Sequence, residues 1–229
     1  SHVFEAGADN PMAQPQAWHR VEALTDDVEW FLEFYCEPKD YFPKKYNGNP
    51  VHSEVLEAME SLSPGKALDL GCGQGRNALF LAQHGFEVTA VDQNELALEI
   101  LQSIVEQEDL EMTVGLYDIN SAALTQTYDL IVSTVVLMFL QADRIPAIIR
   151  NMQDQTNPGG YNLIVCAMDT EDYPCQVPFS FTFKEGELAD YYKDWELIKY
   201  NENPGHLHRR DEHGNRIALR FATMLAKKK

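Results

Sequence analysis

Positive charge is what this chain most lacks: 18 Lys and Arg stand against 36 Asp and Glu, a formal charge of −18 over 229 residues. That balance opposes long-range attraction to nucleic acid or to an anionic membrane surface, so neither is an expected partner. Cysteine is scarce too. Cys36, Cys72, Cys166 and Cys175 form no C-x-x-C pair and no recognisable zinc spacing, which leaves neither a disulfide framework nor a zinc site to expect. No run of about 18 apolar residues could span a membrane, and no signal-peptide h-region stands near the N-terminus. The expected location is cytoplasmic. What is present is a hydrophobic content of 45%, enough for the core of one α/β domain.

One more absence decides the ligand class. The stretch Ala67 to Asn77, ALDLGCGQGRN, reads as strand, tight turn and helix start, with Asp69 two residues before three alternating glycines. A dinucleotide fingerprint, G-x-G-x-x-G, would need its third glycine at position 76, where Arg76 stands. The third glycine is Gly75, so a nicotinamide-dependent oxidoreductase is disfavoured. A D/E-x-G-x-G-x-G stretch closing a first strand resembles motif I of class I S-adenosylmethionine-dependent methyltransferases. In that resemblance Asp69, Gly71, Cys72 and Gly73 belong to the cofactor set, Cys72 through its backbone more than its thiol.

The following segments keep the order such a fold requires. Ala78 to His84 is helical in pattern, Gly85 is a natural stop, and Phe86 to Val91 is a β-rich run ending in Asp92. Asp92, with Gln93 beside it, is the expected ribose ligand; the alternative for Asp92 is a helix N-cap, a role Asn94 can fill for Glu95 to Glu106. Met112 to Leu116 reads as a third strand, and Asp118-Ile119-Asn120 follows it directly. In the resemblance Asp118 accepts from the adenine amine and Ile119 supplies a backbone amide; an Asx turn is the competing reading. Tyr128 to Val136 is a nearly continuous apolar fourth strand ending at the Ser133-Thr134 pair, with Thr134 assigned to the cofactor. Leu137 to Leu140 and Arg144 to Met152 give a crossover helix, Pro158-Gly159-Gly160 a turn, and Tyr161 to Ala167 a fifth strand.

This alternation predicts a doubly wound, mostly parallel, seven-stranded Rossmann-like α/β sheet, with ligands at the carboxyl ends of the strands. Residues 1–38 form a leader, read as the tail of a small β-rich domain with a strand at Val28 to Tyr35, and residues 39–229 form the methyltransferase domain. Asp40 to Val55 reads as an aromatic, Lys-containing loop before a helix from Ser53 to Glu60. Lys45, Tyr46 and His52 there are candidates to touch the methionyl carboxylate or close the pocket, a solvated loop being the alternative. Phe179, Phe181 and Phe183 alternate as in a strand or extended lid, and Glu185-Gly186-Glu187 opens a short helix through Tyr192.

Trp195 to Tyr200 and Ile217 to Leu225 read as the last two strands, an antiparallel pair. Their connection, NENPGHLHRRDEHGNR, packs His206, His208, Arg209, Arg210, His213 and Arg216 into 11 residues of an acidic chain. A soluble hairpin tip partly neutralised by Asp211 and Glu212 is one reading, and a site for an anionic substrate is the other. DLGCGQGRN, STVVLMFL, AMDTEDYPC, FTFKEGEL and the HLHRRD to GNRI hairpin together resemble the TehB family of bacterial tellurite resistance methyltransferases, from about Tyr41 to Lys229. The resemblance implies methyl transfer from S-adenosylmethionine to tellurite, and to selenite, leaving S-adenosylhomocysteine. It places His208, Arg209 and Arg216 in the active site, where guanidinium forks and an imidazole suit an oxyanion. No metal is expected. A thiol or small-organic-molecule methyltransferase and a non-catalytic S-adenosylmethionine sensor are the alternatives.

Overall fold

The structure, a computed structural model, describes residues 37–210 and 214–229. The leader strand expected at Val28 to Tyr35 lies outside the described residues. The elements run α1 (Pro38–Tyr46), α2 (Ser53–Ala58), β1 (Lys66–Leu70), α3 (Arg76–Gln83), β2 (Glu87–Asp92), α4 (Glu95–Gln107), β3 (Met112–Leu116), β4 (Tyr128–Thr134), α5 (Ile145–Asp154), β5 (Thr156–Ala167), α6 (Glu187–Tyr191), β6 (Glu196–Arg210) and β7 (Arg216–Lys227). The strands form one sheet in the order β3-β2-β1-β4-β5-β7-β6. β1 to β5 are parallel, and β7 pairs antiparallel with both β5 and β6.

The doubly wound plan follows from which faces are apolar. β1 and β4 are buried along almost their whole length, as strands covered on both faces must be. Two apolar clusters result. One, around Ile131, Ile148, Ile149, Met152 and Ile164, lies under α5; the other, around Leu79, Leu81, Leu101, Ile104 and Val132, lies under α3 and α4.

Three local expectations are corrected. The stretch expected as a loop from Asp40 carries a helix: Pro38 presets the first turn, Asp40 and Lys44–Lys45 match the two ends of the dipole, and Asn47 closes it at φ 51°. Pro158-Gly159-Gly160 is no turn but part of β5, where Gly159 at φ +77° and a register shift opposite Tyr128–Leu130 make an irregularity within the strand. The basic connection is mostly strand as well. β6 runs to Arg210 and its pairing to Arg210↔Arg216, and as the sheet's outer strand it tolerates Pro204, which has no N–H to donate.

Candidate active site

The glycine turn leaves β1 tied to the neighbouring strand, Gly71 and Cys72 both donating to the Val91 carbonyl at 2.9 and 3.0 Å. All three glycines have positive φ, but for different reasons. A Cβ on Gly71 would stand 2.6 Å from Val136, and one on Gly75 2.4 Å from Leu101, so these two are demanded by packing. Gly73 would meet nothing within 4 Å and faces open space. Its N–H donates to Asp92 Oδ2 at 2.8 Å, while Asp92 Oδ1 accepts from Asn94 N at 2.9 Å. Asn94, not Asp92, caps α4 by accepting from Ala97 N. Asp92 thus braces the turn and keeps further lone pairs to accept from hydroxyls.

Asp69 lies deeper than a ligand contact. It is buried, and its Oδ2 accepts from Ala78 N at 3.1 Å, supplying α3 with the side-chain cap that Gly75 cannot provide. Burial drives its carboxyl up to about 7, against the opposing pull of Arg76 and the Ala78 N–H. Arg76, the first residue of α3, is half-buried and donates no hydrogen bond to a described residue; burial pulls its guanidinium below the ordinary value while Asp69 opposes that. Asn77 is buried and joins three segments, its Oδ1 accepting from His52 N at 3.1 Å and its Nδ2 donating to Thr134 Oγ1 at 3.0 Å. The Cys72 thiol is pushed well above its usual range by burial, consistent with a packing role for the side chain.

Two cavities meet here. The first, of about 670 Å³, brings together Gly71, Cys72, Gly73 and Thr134 with Arg76, Asn77 and residues of α1 and α4 such as Phe42, Tyr46 and Ser103. That volume lies within the range of small-molecule sites. Asp69, Asp92, Gln93, Asp118 and Ile119 are not on its wall, although Asp92 reaches it through Gly73. Asp118 adopts the Asx-type cap of a short 3₁₀ turn, accepting from Asn120 N at 2.9 Å, and Ile119 is buried. Lys45 is turned away toward Glu108 at 2.7 Å and Tyr41 at 2.9 Å. The second cavity, of about 780 Å³, is lined by Val135, Phe139, Phe179, Phe221, Lys199 and His206 among others, and shares Arg76 and Val135 with the first.

Val135 is strained. A β-branched residue at φ 63° is a rare conformation, held here by its N–H donating to Val165 O at 2.7 Å. Sequence reasoning missed Val135, Asn77 and Arg76. For the latter two the signal is a polar Arg-Asn pair immediately before the apolar run ALFLA. Of the expected catalytic residues, His208 and Arg209 stand near the end of β6, within the irregularity between the His206↔Ala218 and Arg210↔Arg216 pairs, and Arg216 opens β7, exposed; none of the three is among the described residues that line either cavity. His213 lies outside the described residues.

The family model described as "Tellurite resistance protein TehB" matches residues 34–225. The chain belongs to the TehB family. It is 57% identical over 228 residues to the "Probable S-adenosyl-L-methionine-dependent methyltransferase TehB" of Haemophilus influenzae (strain 10810), covering 100% of this chain and 80% of that TehB. It is also 52% identical over 227 residues to "Hemagglutinin 1" of Eikenella corrodens, covering 99% and 76%. The crystal structure of TehB from Haemophilus influenzae superposes with a TM-score of 0.92 at 56% identity, over 100% of this chain and 80% of that one. A TehB-like methyltransferase from Corynebacterium glutamicum, at 21% identity and a TM-score of 0.57 over 84% and 98% of the two chains, shares the fold. The protein is therefore an S-adenosylmethionine-dependent methyltransferase.

The first cavity fits that cofactor. Gly73 leaves room for a ligand against the backbone, Asp92 offers acceptor capacity beside it, and Arg76 presents a half-buried cation suited to a carboxylate.

Proposed function

We propose that the protein transfers a methyl group to tellurite, and to selenite, in chalcogen oxyanion detoxification. The observation that carries this reading is the hairpin: β6 lines the second cavity from Lys199 to Leu207, then continues into His208 and Arg209, while Arg216 begins the paired strand opposite. In a chain of charge −18, that gathers His208, Arg209 and Arg216 at one end of a single strand pair. Distant carboxylates are screened beyond about 8–10 Å, so the local cluster decides what an anion meets.

When bound, S-adenosylmethionine supplies a methyl group already activated on a sulfonium. The chain's residues then need only to bind, align and exclude water. Gly71, Cys72 and Gly73 offer backbone, Thr134 a hydroxyl and Asp92 a carboxylate for the nucleoside side, and Arg76 takes the carboxylate end. Arg209 and Arg216 neutralise the oxyanion with forked donors, and His208 donates to it or removes its proton. Alignment of this kind supplies on the order of 7–11 kcal/mol in well-oriented systems.

The test is S-adenosylhomocysteine formation with tellurite as acceptor. Arg216→Ala is expected to lower kcat/KM for tellurite on the order of 10²-fold. The affinity for S-adenosylhomocysteine should stay within about twofold, on the view that the cofactor wall and the hairpin are separate. Equal loss of both would contradict that separation.

A further inference from the structure

The second cavity is much larger than an inorganic oxyanion requires. It encloses about 780 Å³, in the range that holds an organic ligand of drug size, whereas tellurite has four heavy atoms. Its wall is mainly apolar: Val135, Phe139, Val165, Val177, Phe179 and Phe221. Phe139 is 61% exposed and Phe179 half-buried, so these rings are held at the mouth rather than in the core. They meet edge to face at 5.4 Å, although one follows β4 and the other follows β5. The Phe181 N–H donates to Met138 O at 3.3 Å and locks the two segments together, which makes the aromatic wall a built feature of the tertiary fold.

Of the cavity's charged residues, Glu54 and Lys199 pair with each other, while Arg76 stands on the wall shared with the first cavity. Lys199, its one lysine, is bridged at 2.7 Å to both Glu54 and Glu57. The other polar residues of its lining are Ser53, Asn201, Asn203, Thr223, His52 and His206, none of them a carboxylate or an ammonium. Such a lining suits a neutral organic body. The cavity also shares Val135 and Arg76 with the cofactor cavity, so a ligand held in it sits against the same partition as the methyl donor.

We infer that the second cavity holds the aromatic or aliphatic body of a hydrophobic thiol, giving the enzyme a second activity, S-methylation of that thiol. The inference rests on the methyl-transfer chemistry of the protein and not on tellurite being an acceptor. A thiol suits the site better than an alcohol or a phenol, because a thiol releases its proton near neutral pH and the thiolate is the reactive nucleophile. In the step, the thiolate sulfur lone pair forms a new S–C bond to the donor methyl carbon. The sulfonium S–C bond breaks with its electron pair remaining on the departing sulfur. The thiol proton goes to solvent, and one anion and one sulfonium become two neutral thioethers.

The probes are 2-naphthalenethiol as acceptor and 2-(methylthio)naphthalene as its product. Two readouts are taken on the full chain: formation of the thioether together with an equal amount of S-adenosylhomocysteine, and binding of the thioether to protein saturated with S-adenosylhomocysteine, by ligand-observed NMR. Wild-type protein is expected to show saturable turnover and saturable binding. Phe139→Asp and Phe179→Asp are each expected to weaken thioether binding at least tenfold, with S-adenosylhomocysteine affinity kept within twofold as the check on folding. Absence of saturable binding and turnover in the wild type overturns the inference, and so does binding that neither substitution alters. Tellurite run in parallel separates the two readings: turnover on tellurite alone removes the thiol activity and leaves the oxyanion reading standing, and turnover on the thiol alone does the reverse.

Discussion

At the scale of single residues, Asp69 ties the motif to stability through pH. Its carboxyl titrates at about 7 in the fold against an ordinary 3.8, so the folded chain keeps a proton that the unfolded chain has released. Stability therefore falls as pH rises between those two values, and the full penalty stands above about 7. Asp69→Asn, which still offers an oxygen to Ala78 N, should gain stability relative to wild type across that window and level off above it. Urea denaturation over a pH series would show this as diverging curves; parallel curves would contradict the raised carboxyl. Gly75 gives a second check. With φ +82° and Leu101 where a Cβ would go, Gly75→Ala is expected to destabilise by about 1–3 kcal/mol or more, read as a lowered urea midpoint.

Among elements, α1 depends on one carboxylate. Glu108, just past α4, receives Lys45 at 2.7 Å, Tyr41 at 3.1 Å and Tyr46 by a short hydrogen bond. Burial raises its pKa, but those hydrogen bonds outweigh burial and hold it below the ordinary value. Since Phe42, Pro43 and Tyr46 of α1 wall the first cavity, which we propose holds the cofactor, Glu108→Ala should release that wall and raise the Kd for S-adenosylhomocysteine several-fold by calorimetry. An unchanged Kd would show that α1 does not contribute. The α1 helix was legible in Pro38 and Asn47 but was masked by its Lys and aromatic content. Strands β1 to β5 were legible because apolar runs bounded by Asp, Gly and Asn admit few other readings. The length of β6 was not, because His, Arg and Pro204 carry turn signals locally, and only pairing with β7 makes them strand. The same limit hid the second cavity, whose aromatic rings come from segments about 40 residues apart and meet only in the fold.

At the scale of the whole molecule, among the described residues, the sheet order places the glycine turn, Thr134 and the paired ends of β6 and β7 around one rim, where two cavities share Val135 and Arg76 on their walls. No helix among the described residues is long and apolar enough to cross a membrane. We propose that the leader ahead of α1 is separable from the methyltransferase domain; a chain beginning at residue 37 should keep its S-adenosylhomocysteine affinity within twofold, and loss of binding would assign the leader to the domain. We propose that the hairpin cations act on an oxyanion while the glycine turn holds the methyl donor. The most direct measurement is S-adenosylhomocysteine formation by wild type and Arg216→Ala over a range of tellurite concentrations. Wild type is expected to show tellurite-dependent turnover that falls on the order of 10²-fold in the variant, with cofactor affinity retained. No tellurite-dependent turnover by wild type that binds S-adenosylhomocysteine would contradict it.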